Sequence, residues 1–158
     1  MEEKKYIWAV DISMSNTGLV IFEDDAKEIK SILITSIDTQ NGKNHQEKLK
    51  ILGNKIMEYK YKYPPKCISS EKGFYRFAAS TEAIYKCHGL ISYLLWDIEL
   101  FEYAPMTVKK EVVGKGNVKK DEVRNFILEN YKDIQFENFD QSDAYSVGIC
   151  YFKKKRNK

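Results

Sequence analysis

The order of apolar and polar residues predicts five strands and four helices in this chain. Short apolar runs bounded by turn residues indicate the strands. The predicted strands are Tyr6–Ile12, Leu19–Phe22, Ile32–Ile37, Lys66–Glu71 and Ile98–Tyr103. Apolar side chains that recur every three or four residues indicate the helices. The predicted helices are His45–Tyr61, Ser80–Trp96, Asp121–Tyr131 and Asp140–Phe152.

The order of these elements predicts an α/β fold. The first three strands are separated by short connections, which favour antiparallel hairpins. Strands and helices then alternate, which is typical of a sheet covered by helices. We therefore expect a mixed five-stranded sheet flanked by helices on both faces.

Length and charge indicate one domain with local basic clusters. The 158 residues suit a single domain, and we expect it to span residues 1–152. The formal charge is +3, of which the final six residues, KKKRNK, contribute +5. We interpret residues 153–158 as a basic tail. A second basic stretch, Thr107–Arg124, would give a near-neutral body one face for a polyanion; the alternative is a solvated helix and a frayed tail.

Nothing in the sequence predicts export or a membrane span. No apolar run approaches the roughly 18 residues of a membrane helix, and the start, MEEKK, leads directly into the first strand. The three cysteines, Cys67, Cys87 and Cys150, are too scattered for a disulfide framework or a zinc knuckle. We therefore expect a reduced, cytoplasmic protein.

Four acidic residues stand at positions where a charge needs a reason. Asp11 interrupts the apolar first strand at its end, and Glu71 ends the fourth strand. Asp140 and Asp143 are three residues apart at the start of the last predicted helix, so they share a face. If the first and fourth strands are parallel neighbours, their carboxyl ends bring Asp11 and Glu71 together, where ligands bind in open α/β sheets.

Clustered carboxylates favour a hard divalent cation. Without one they repel each other and raise one another's pKa. Oxygen ligands without histidine or cysteine suit Mg²⁺ or Mn²⁺, and two such ions would flank a phosphodiester. Each residue also has a simpler interpretation: Asp140 as the N-cap of the last helix with Asp143 favoured by the helix dipole, Asp11 as a turn residue, and Glu71 as a strand-end charge.

Four segments together resemble the RuvC family of Holliday-junction resolvases, within the RNase H-like nuclease superfamily. They are AVDISMSNTGLVIFE, ISSEKGFYRFAAS, MTVKKEVVGKGNVKKDEV and FDQSDAYSVGICY. Their order and spacing cover nearly the whole chain. The resemblance departs in two places: Ile12 and Ser13 follow the first Asp where Pro-Gly is common, and Gly73 stands where a bulkier residue is common.

The resemblance implies an RNase H-like nuclease with Asp11, Glu71, Asp140 and Asp143 as catalytic, metal-ligating residues. It places Lys120 next to the scissile phosphate, where a positive charge stabilises the transition state. The implied protein is a homodimer, here through the Ser80–Trp96 helix, that binds a four-way DNA junction. It would use two Mg²⁺ ions to make paired symmetric nicks with 5′-phosphate and 3′-hydroxyl ends.

The resemblance also implies DNA contacts outside the catalytic residues. Phe74 falls where the family has an aromatic side chain that stacks on an unpaired base, although a core aromatic is the simpler interpretation. Tyr75 and Arg76 beside it favour a DNA-facing loop. Lys109 falls at a DNA-contacting position, and its basic neighbours would add contacts to phosphate. These neighbours are Lys110, Lys115 and Lys119.

Three other functions compete with a junction resolvase. A broader nuclease of the same superfamily would cut forks, flaps and other branched nucleic acids with the same ions. A non-catalytic junction-binding module would not need the four carboxylates. An actin-like ATPase or sugar kinase opens with a similar strand, Asp, turn and strand, but it needs two such domains, and 158 residues hold one. A helicase partner is not predictable from the sequence.

Overall fold

A computed structural model describes residues 5–25, 27–72 and 78–158. The strands are β1 (Tyr6–Asp11), β2 (Asn16–Glu23), β3 (Ser31–Asp38), β4 (Pro65–Glu71) and β5 (Glu99–Tyr103). The helices are α1 (His45–Lys62), α2 (Ala78–Leu94), α3 (Pro105–Val113), α4 (Lys120–Asn130) and α5 (Phe139–Arg156). In this part of the chain, no helix is both long enough and apolar enough to cross a membrane.

The strands form one mixed sheet in the order β3-β2-β1-β4-β5. β1 pairs antiparallel with β2, and β2 pairs antiparallel with β3. β4 lies parallel to β1 and to β5. The predicted opening meander is confirmed. The first and fourth strands are parallel neighbours, which meets the condition for bringing Asp11 and Glu71 together, and the ends of β1 and β4 lie at one edge.

Both faces of the sheet are covered, because its central strands alternate their side chains between two cores. In β1, Ile7 and Ala9 enter a core formed largely with α3, α4 and α5. Trp8 and Val10 enter the opposite core, formed with α1 and α2. All four side chains are at most 1% exposed. This period of two is the property that makes β1 an uninterrupted apolar run in the sequence.

The structure adds one helix that the sequence did not predict. The fifth strand ends at Tyr103, as predicted, and Pro105 also occupies the first turn of α3, where its missing N–H costs nothing. Gly114, with φ of 88°, ends this helix in the left-handed conformation. The segment from Pro105 to Gly114 therefore carries part of the basic stretch on a helix.

The last helix extends beyond the predicted boundary at residue 152. α5 continues through Arg156, so four of the six residues interpreted as a basic tail are helical. Three of the lysines contact the body of the protein. Lys153 donates to the Glu111 carbonyl at 2.7 Å, Lys154 forms an ion pair with the Glu111 carboxylate at 3.0 Å, and the Lys155 Nζ lies 4.5 Å from the Phe101 ring centroid. A free, frayed tail is therefore wrong for these three residues.

Candidate active site

Two of the four acidic residues lie side by side at the edge of the sheet. Asp11 is the last residue of β1, and Glu71 is the last residue of β4. Because β1 and β4 are parallel neighbours, both chains reach the same edge at these residues. Each carboxylate follows a buried strand, and each residue is itself only partly exposed. The local sequence thus places two charges directly after buried residues.

The other two acidic residues reach this edge through the first turns of α5. Gly18 makes this approach possible, since it pairs with Asp11 in the sheet and lies directly against the start of the helix. A Cβ atom at Gly18 would lie 2.0 Å from the Asp140 carbonyl oxygen. The N-cap of α5 is Asn138, whose side chain accepts from the Gln141 N–H, so the N-cap interpretation of Asp140 is wrong.

The turn between β1 and β2 is held by side-chain hydrogen bonds. The Ser13 hydroxyl donates to the Asn16 carbonyl at 2.7 Å, and the Thr17 hydroxyl donates to the Ser13 carbonyl at 2.8 Å. From this turn, the Asn16 amide donates to an Asp140 carboxylate oxygen at 2.8 Å. Ser13 and Thr17 therefore stabilise a turn that lacks the Pro-Gly pair common in the resembling family.

Asn16 is a site residue that the sequence analysis missed. A polar residue directly before Thr17 and Gly18, at the start of an apolar strand, was the available signal. Its partner Asp140 is 124 positions away in the chain, so only the fold brings the two side chains together.

Burial and the neighbouring carboxylates change the protonation of Asp11. Burial, which has the largest effect, and the nearby charges of Asp143, Asp140 and Glu71 together raise the pKa of Asp11 to about 8, while the Lys120 ammonium acts in the opposite direction. Burial and the Asp143 charge likewise raise the pKa of Glu71. A positive charge placed among these groups would relieve both effects.

Lys120 supplies one such positive charge. Its Nζ lies 2.7 Å from a carboxylate oxygen of Asp143, and its side chain is 65% exposed. Partial burial disfavours the ammonium, but the hydrogen bond and charge of Asp143, together with the charges of Asp11 and Glu71, prevail and raise the pKa of Lys120. The lysine predicted to lie next to the substrate phosphate thus lies among the predicted metal ligands.

The remaining predicted DNA contacts are only partly described. Lys109 on α3 lies near enough to Glu71 for its charge to lower the pKa of that carboxyl. Its basic neighbours along the chain are exposed: Lys110, Lys115 and Lys119. The predicted aromatic and basic loop residues, Phe74, Tyr75 and Arg76, lie outside the described residues.

The donor set fits a hard divalent cation by its chemistry, although the side chains are not gathered tightly around one point. Within residues 5–25, 27–72 and 78–158, no three acidic, histidine or cysteine side chains already converge as a ready-made metal site. All four candidate ligands are nevertheless carboxylates, and the charges of the other three contribute to the raised pKa of Asp11. Such a set suits Mg²⁺ or Mn²⁺ better than zinc or copper.

Comparisons with known proteins match the chain over nearly its full length. The family model for crossover junction endodeoxyribonuclease RuvC matches residues 7–151. The protein of that name from Ehrlichia ruminantium (strain Gardel) is 30% identical over 152 residues, which cover 92% of this chain and 94% of that protein.

Solved structures share the fold. Thermus thermophilus RuvC in complex with a Holliday junction substrate superposes with a TM-score of 0.84 at 17% identity, covering 97% of this chain and 96% of that chain. The yeast mitochondrial Holliday junction resolvase Ydc2 gives a TM-score of 0.70 at 10% identity, covering 98% of this chain and 84% of that one. The expected RNase H-like fold is therefore confirmed, and the family match over residues 7–151 shows that the chain belongs to the RuvC family of crossover junction endodeoxyribonucleases.

Proposed function

We propose that this protein is a divalent-metal-dependent endonuclease that resolves four-way DNA junctions. The observation that carries the proposal is the meeting of four carboxylates and Lys120 at one edge of the sheet, in a chain that belongs to a family of junction endonucleases. The same edge is where β1, β4 and α5 each end or begin, so a substrate phosphate placed there would meet all five side chains.

Asp11, Glu71, Asp140 and Asp143 would hold the metal, which we take to be two Mg²⁺ ions. These ions would supply Lewis-acid stabilisation of the charge that develops on the phosphate oxygens. The carboxylates of the chain fix the position of that charge, and the Asn16 amide orients Asp140. Asp11 would have a lower pKa with a cation held beside it, because a positive charge there would offset the burial and the carboxylate repulsion that raise this pKa.

Lys120 would act directly on the substrate. Its Nζ is bound to Asp143, but two thirds of its side chain is exposed to the approach of a phosphate. An ammonium at this position stabilises negative charge that grows on the phosphate during hydrolysis. We expect the products to carry 5′-phosphate and 3′-hydroxyl ends.

Junction DNA would approach the same edge through the basic residues that surround it. Lys109, on α3, lies close enough to Glu71 to act electrostatically on it. The exposed lysines of the same stretch would neutralise phosphates on either side of the cut: Lys110, Lys115 and Lys119. Phe74, Tyr75 and Arg76 would contact unpaired bases at the crossover.

Paired nicks on two strands require two sites, and we propose that they come from a homodimer formed through α2. The buried face of this helix carries Cys87 and Ile91, which are at most 4% exposed. Tyr93 on this helix and Trp96 in the turn that follows it are 75% and 81% exposed. Neighbouring exposed aromatic side chains are typical of protein interfaces.

Cleavage of defined DNA structures tests the proposal. A synthetic immobile four-way junction, a fork, a flap and a linear duplex would be incubated with the protein and Mg²⁺, with EDTA, and with the Asp11→Asn variant. We expect paired symmetric nicks on the junction alone, which EDTA and Asp11→Asn both abolish while junction binding persists. Equal cutting of fork and flap would contradict junction selectivity, and binding without cutting would leave a non-catalytic module.

A further inference from the structure

Helices α4 and α5 contact each other through two side-chain pairs that lie one helical turn apart. Lys120 binds Asp143 at 2.7 Å, and the Arg124 guanidinium lies 5.2 Å from the Phe139 ring centroid. Lys120 and Arg124 are four residues apart on α4, and Phe139 and Asp143 are four residues apart on α5. Residues at this spacing share a helix face, so the Arg124–Phe139 pair lies about 6 Å along the helices from the Lys120–Asp143 pair.

The ring of Phe139 is exposed in a helix whose other large apolar residues are buried. Phe139 is 42% exposed, whereas Tyr145, Ile149 and Phe152 on the same helix are at most 5% exposed. Burial of a phenylalanine side chain is favourable in water. Exposure of this one, beside the candidate active site, is therefore a feature that the packing of α5 does not explain.

Arg124 is held in place over this ring. One guanidinium nitrogen donates to the Phe136 carbonyl at 2.9 Å, and the group lies over the Phe139 ring at cation–π distance. Arg124 has no acidic partner among the residues that the structure describes. Its other N–H donors remain available, in a planar arrangement that suits phosphate.

We propose that Phe139 and Arg124 form a subsite for the nucleotide next to the scissile phosphate, with the ring stacking on an unpaired base and the guanidinium binding its phosphate. The proposal rests on the proposed function, since it takes Lys120 and Asp143 to mark the position of the cut. An exposed aromatic ring with a neighbouring cation is the arrangement that binds single-stranded nucleotides with little sequence preference. The subsite would hold the strand on the α4 side of the carboxylates.

A fluorescence experiment tests the stacking directly. A four-way junction would carry 2-aminopurine at the nucleotide next to the mapped cleavage site, and binding would be measured with Ca²⁺ in place of Mg²⁺. We expect wild-type protein to change the 2-aminopurine emission. Phe139→Leu should lose this change and bind the junction about tenfold more weakly, whereas Phe139→Tyr should restore both.

The control is Tyr61→Ala, which removes a 92% exposed aromatic residue on α1 near Pro64 and Tyr6, at the opposite end of β1 from Asp11. It should leave emission and affinity unchanged. Unfolding temperatures of the Phe139 variants would be measured alongside. Loss of emission change in a Phe139→Leu protein that unfolds at the wild-type temperature supports the subsite, because a purely structural role would lower that temperature.

A second measurement uses wild-type protein alone, so it does not depend on folding of a variant. The same nucleotide would be replaced by 5-iodouracil, cross-linked by light, and the attached residue identified by mass spectrometry. A cross-link to Phe139 supports the proposal, whereas a cross-link to Phe74 or Tyr75 alone overturns it. If wild-type protein cuts the junction but Phe139→Leu keeps the emission change, the subsite is wrong and the proposed function stands; no cutting by wild-type protein contradicts the function itself.

Discussion

Asp11, a candidate metal ligand, is costly to the fold when it is ionised. It follows four almost fully buried residues, Ile7–Val10, and burial together with three neighbouring carboxylates raises its pKa from 3.8 to about 8. A carboxyl group with a higher pKa in the folded chain than in the unfolded chain binds more protons when folded. The free energy of unfolding therefore falls as pH rises from about 4 to about 8.

We expect Asp11→Asn to stabilise the protein in the absence of divalent cations. The asparagine cannot ionise, so the variant avoids the loss of stability that the wild type suffers with rising pH. The difference in stability between variant and wild type should grow by on the order of 3 kcal/mol between pH 5 and pH 8. Urea unfolding at both pH values in EDTA measures it. If the wild type were as stable as the variant at pH 8, the pKa of Asp11 would not be raised by burial and by its carboxylate neighbours.

Asn16 should control how tightly the site binds metal. Its amide holds one oxygen of Asp140 at 2.8 Å, and partners of this kind orient metal ligands. We expect Asn16→Ala to raise the Mg²⁺ concentration needed for half-maximal cleavage about tenfold. Mn²⁺ binding, followed by its electron paramagnetic resonance signal, should weaken by a similar factor.

The matched control for this prediction is Asn130→Ala. Asn130 also donates its side-chain amide within the protein, to the Phe126 carbonyl at 2.8 Å, but it lies at the end of α4 remote from Lys120. This variant should bind Mn²⁺ as the wild type does. Equal Mn²⁺ affinity in Asn16→Ala and Asn130→Ala would show that Asp140 needs no support from the turn.

For individual residues, the sequence predicted the four acidic side chains of the candidate site better than the side chains around them. Asp11 and Glu71 stand out because each ends a predicted strand, and Asp140 and Asp143 because they share a helix face. The signal for Asn16, a polar residue at the start of an apolar strand, is weaker, and Phe139 carries none. Their contacts with Asp140 and Arg124 depend on the packing of α5 against β2 and α4, which a single sequence does not reveal.

Among the elements, the contact between β2 and α5 decides where Asp140 and Asp143 lie. Gly18 permits this contact, since a Cβ atom there would lie 2.0 Å from the Asp140 carbonyl oxygen and 2.5 Å from its carbon. We expect Gly18→Ala to displace the start of α5, to destabilise the protein by about 2 kcal/mol or more, and to lower cleavage more than tenfold. Urea unfolding and junction cleavage measure the two effects.

Gly53→Ala provides the comparison for this substitution. Gly53 lies inside α1, where an added Cβ would meet the Leu90 and Leu94 side chains at an ordinary 3.5 Å. Alanine favours helix more than glycine does, so this variant should be equally stable or about 0.5–1 kcal/mol more stable, with normal cleavage. If Gly18→Ala behaved in the same way, close packing of β2 on α5 would not determine the site.

The basic end of α5 joins helices rather than serving as a free tail. Lys153 and Lys154 both bind Glu111 of α3, and α3 also carries Lys109. We expect Lys154→Ala to cost at most about 1 kcal/mol of stability and to leave the salt dependence of junction binding unchanged. Lys109→Ala should reduce the slope of log K against log salt concentration by about 1, because one phosphate contact is lost.

Binding titrations between roughly 50 and 200 mM salt distinguish these two roles. Equal slopes for Lys154→Ala and Lys109→Ala, both below the wild type, would show that the end of α5 contacts DNA as well. The sequence alone could not distinguish the structural role of Lys154 from the proposed DNA-binding role of Lys109, since both lie in basic runs. It missed α3 for a related reason: a proline ends a strand and begins a helix with equal ease.

In the whole molecule, the sheet lies between the helices that contribute to the candidate active site and the helix of the proposed dimer surface. The face covered by α3, α4 and α5 supplies Lys109, Lys120 and the acidic start of α5 to the site. The opposite face is covered by α1 and α2, and Tyr93 on α2 and Trp96 just after it are exposed. The general α/β architecture was predictable, because strand and helix periodicities are local properties. The parallel pairing of the first and fourth strands is a long-range contact that the sequence alone left open. Which surface remains uncovered became visible only in the fold.

A dimer through α2 would place one complete set of carboxylates in each subunit, so loss of the dimer should separate the two nicks without destroying the site. We expect the double variant Tyr93→Glu, Trp96→Glu to sediment as a monomer and to keep the wild-type unfolding temperature, since both side chains are at least 75% exposed. Two charges on an apolar contact surface oppose association. Tyr61→Glu, at a 92% exposed position on α1, should remain dimeric.

Cleavage of a supercoiled plasmid with an extruded cruciform shows whether the two nicks are made together or separately. Two nicks within one bound complex give linear DNA, whereas a single nick relaxes the cruciform and ends the reaction as a nicked circle. The wild type and Tyr61→Glu should give linear product, and the double variant should give nicked circles at a reduced rate. Wild-type protein that sediments as a monomer at micromolar concentration, or a double variant that still gives linear DNA, would place the second site somewhere other than across α2.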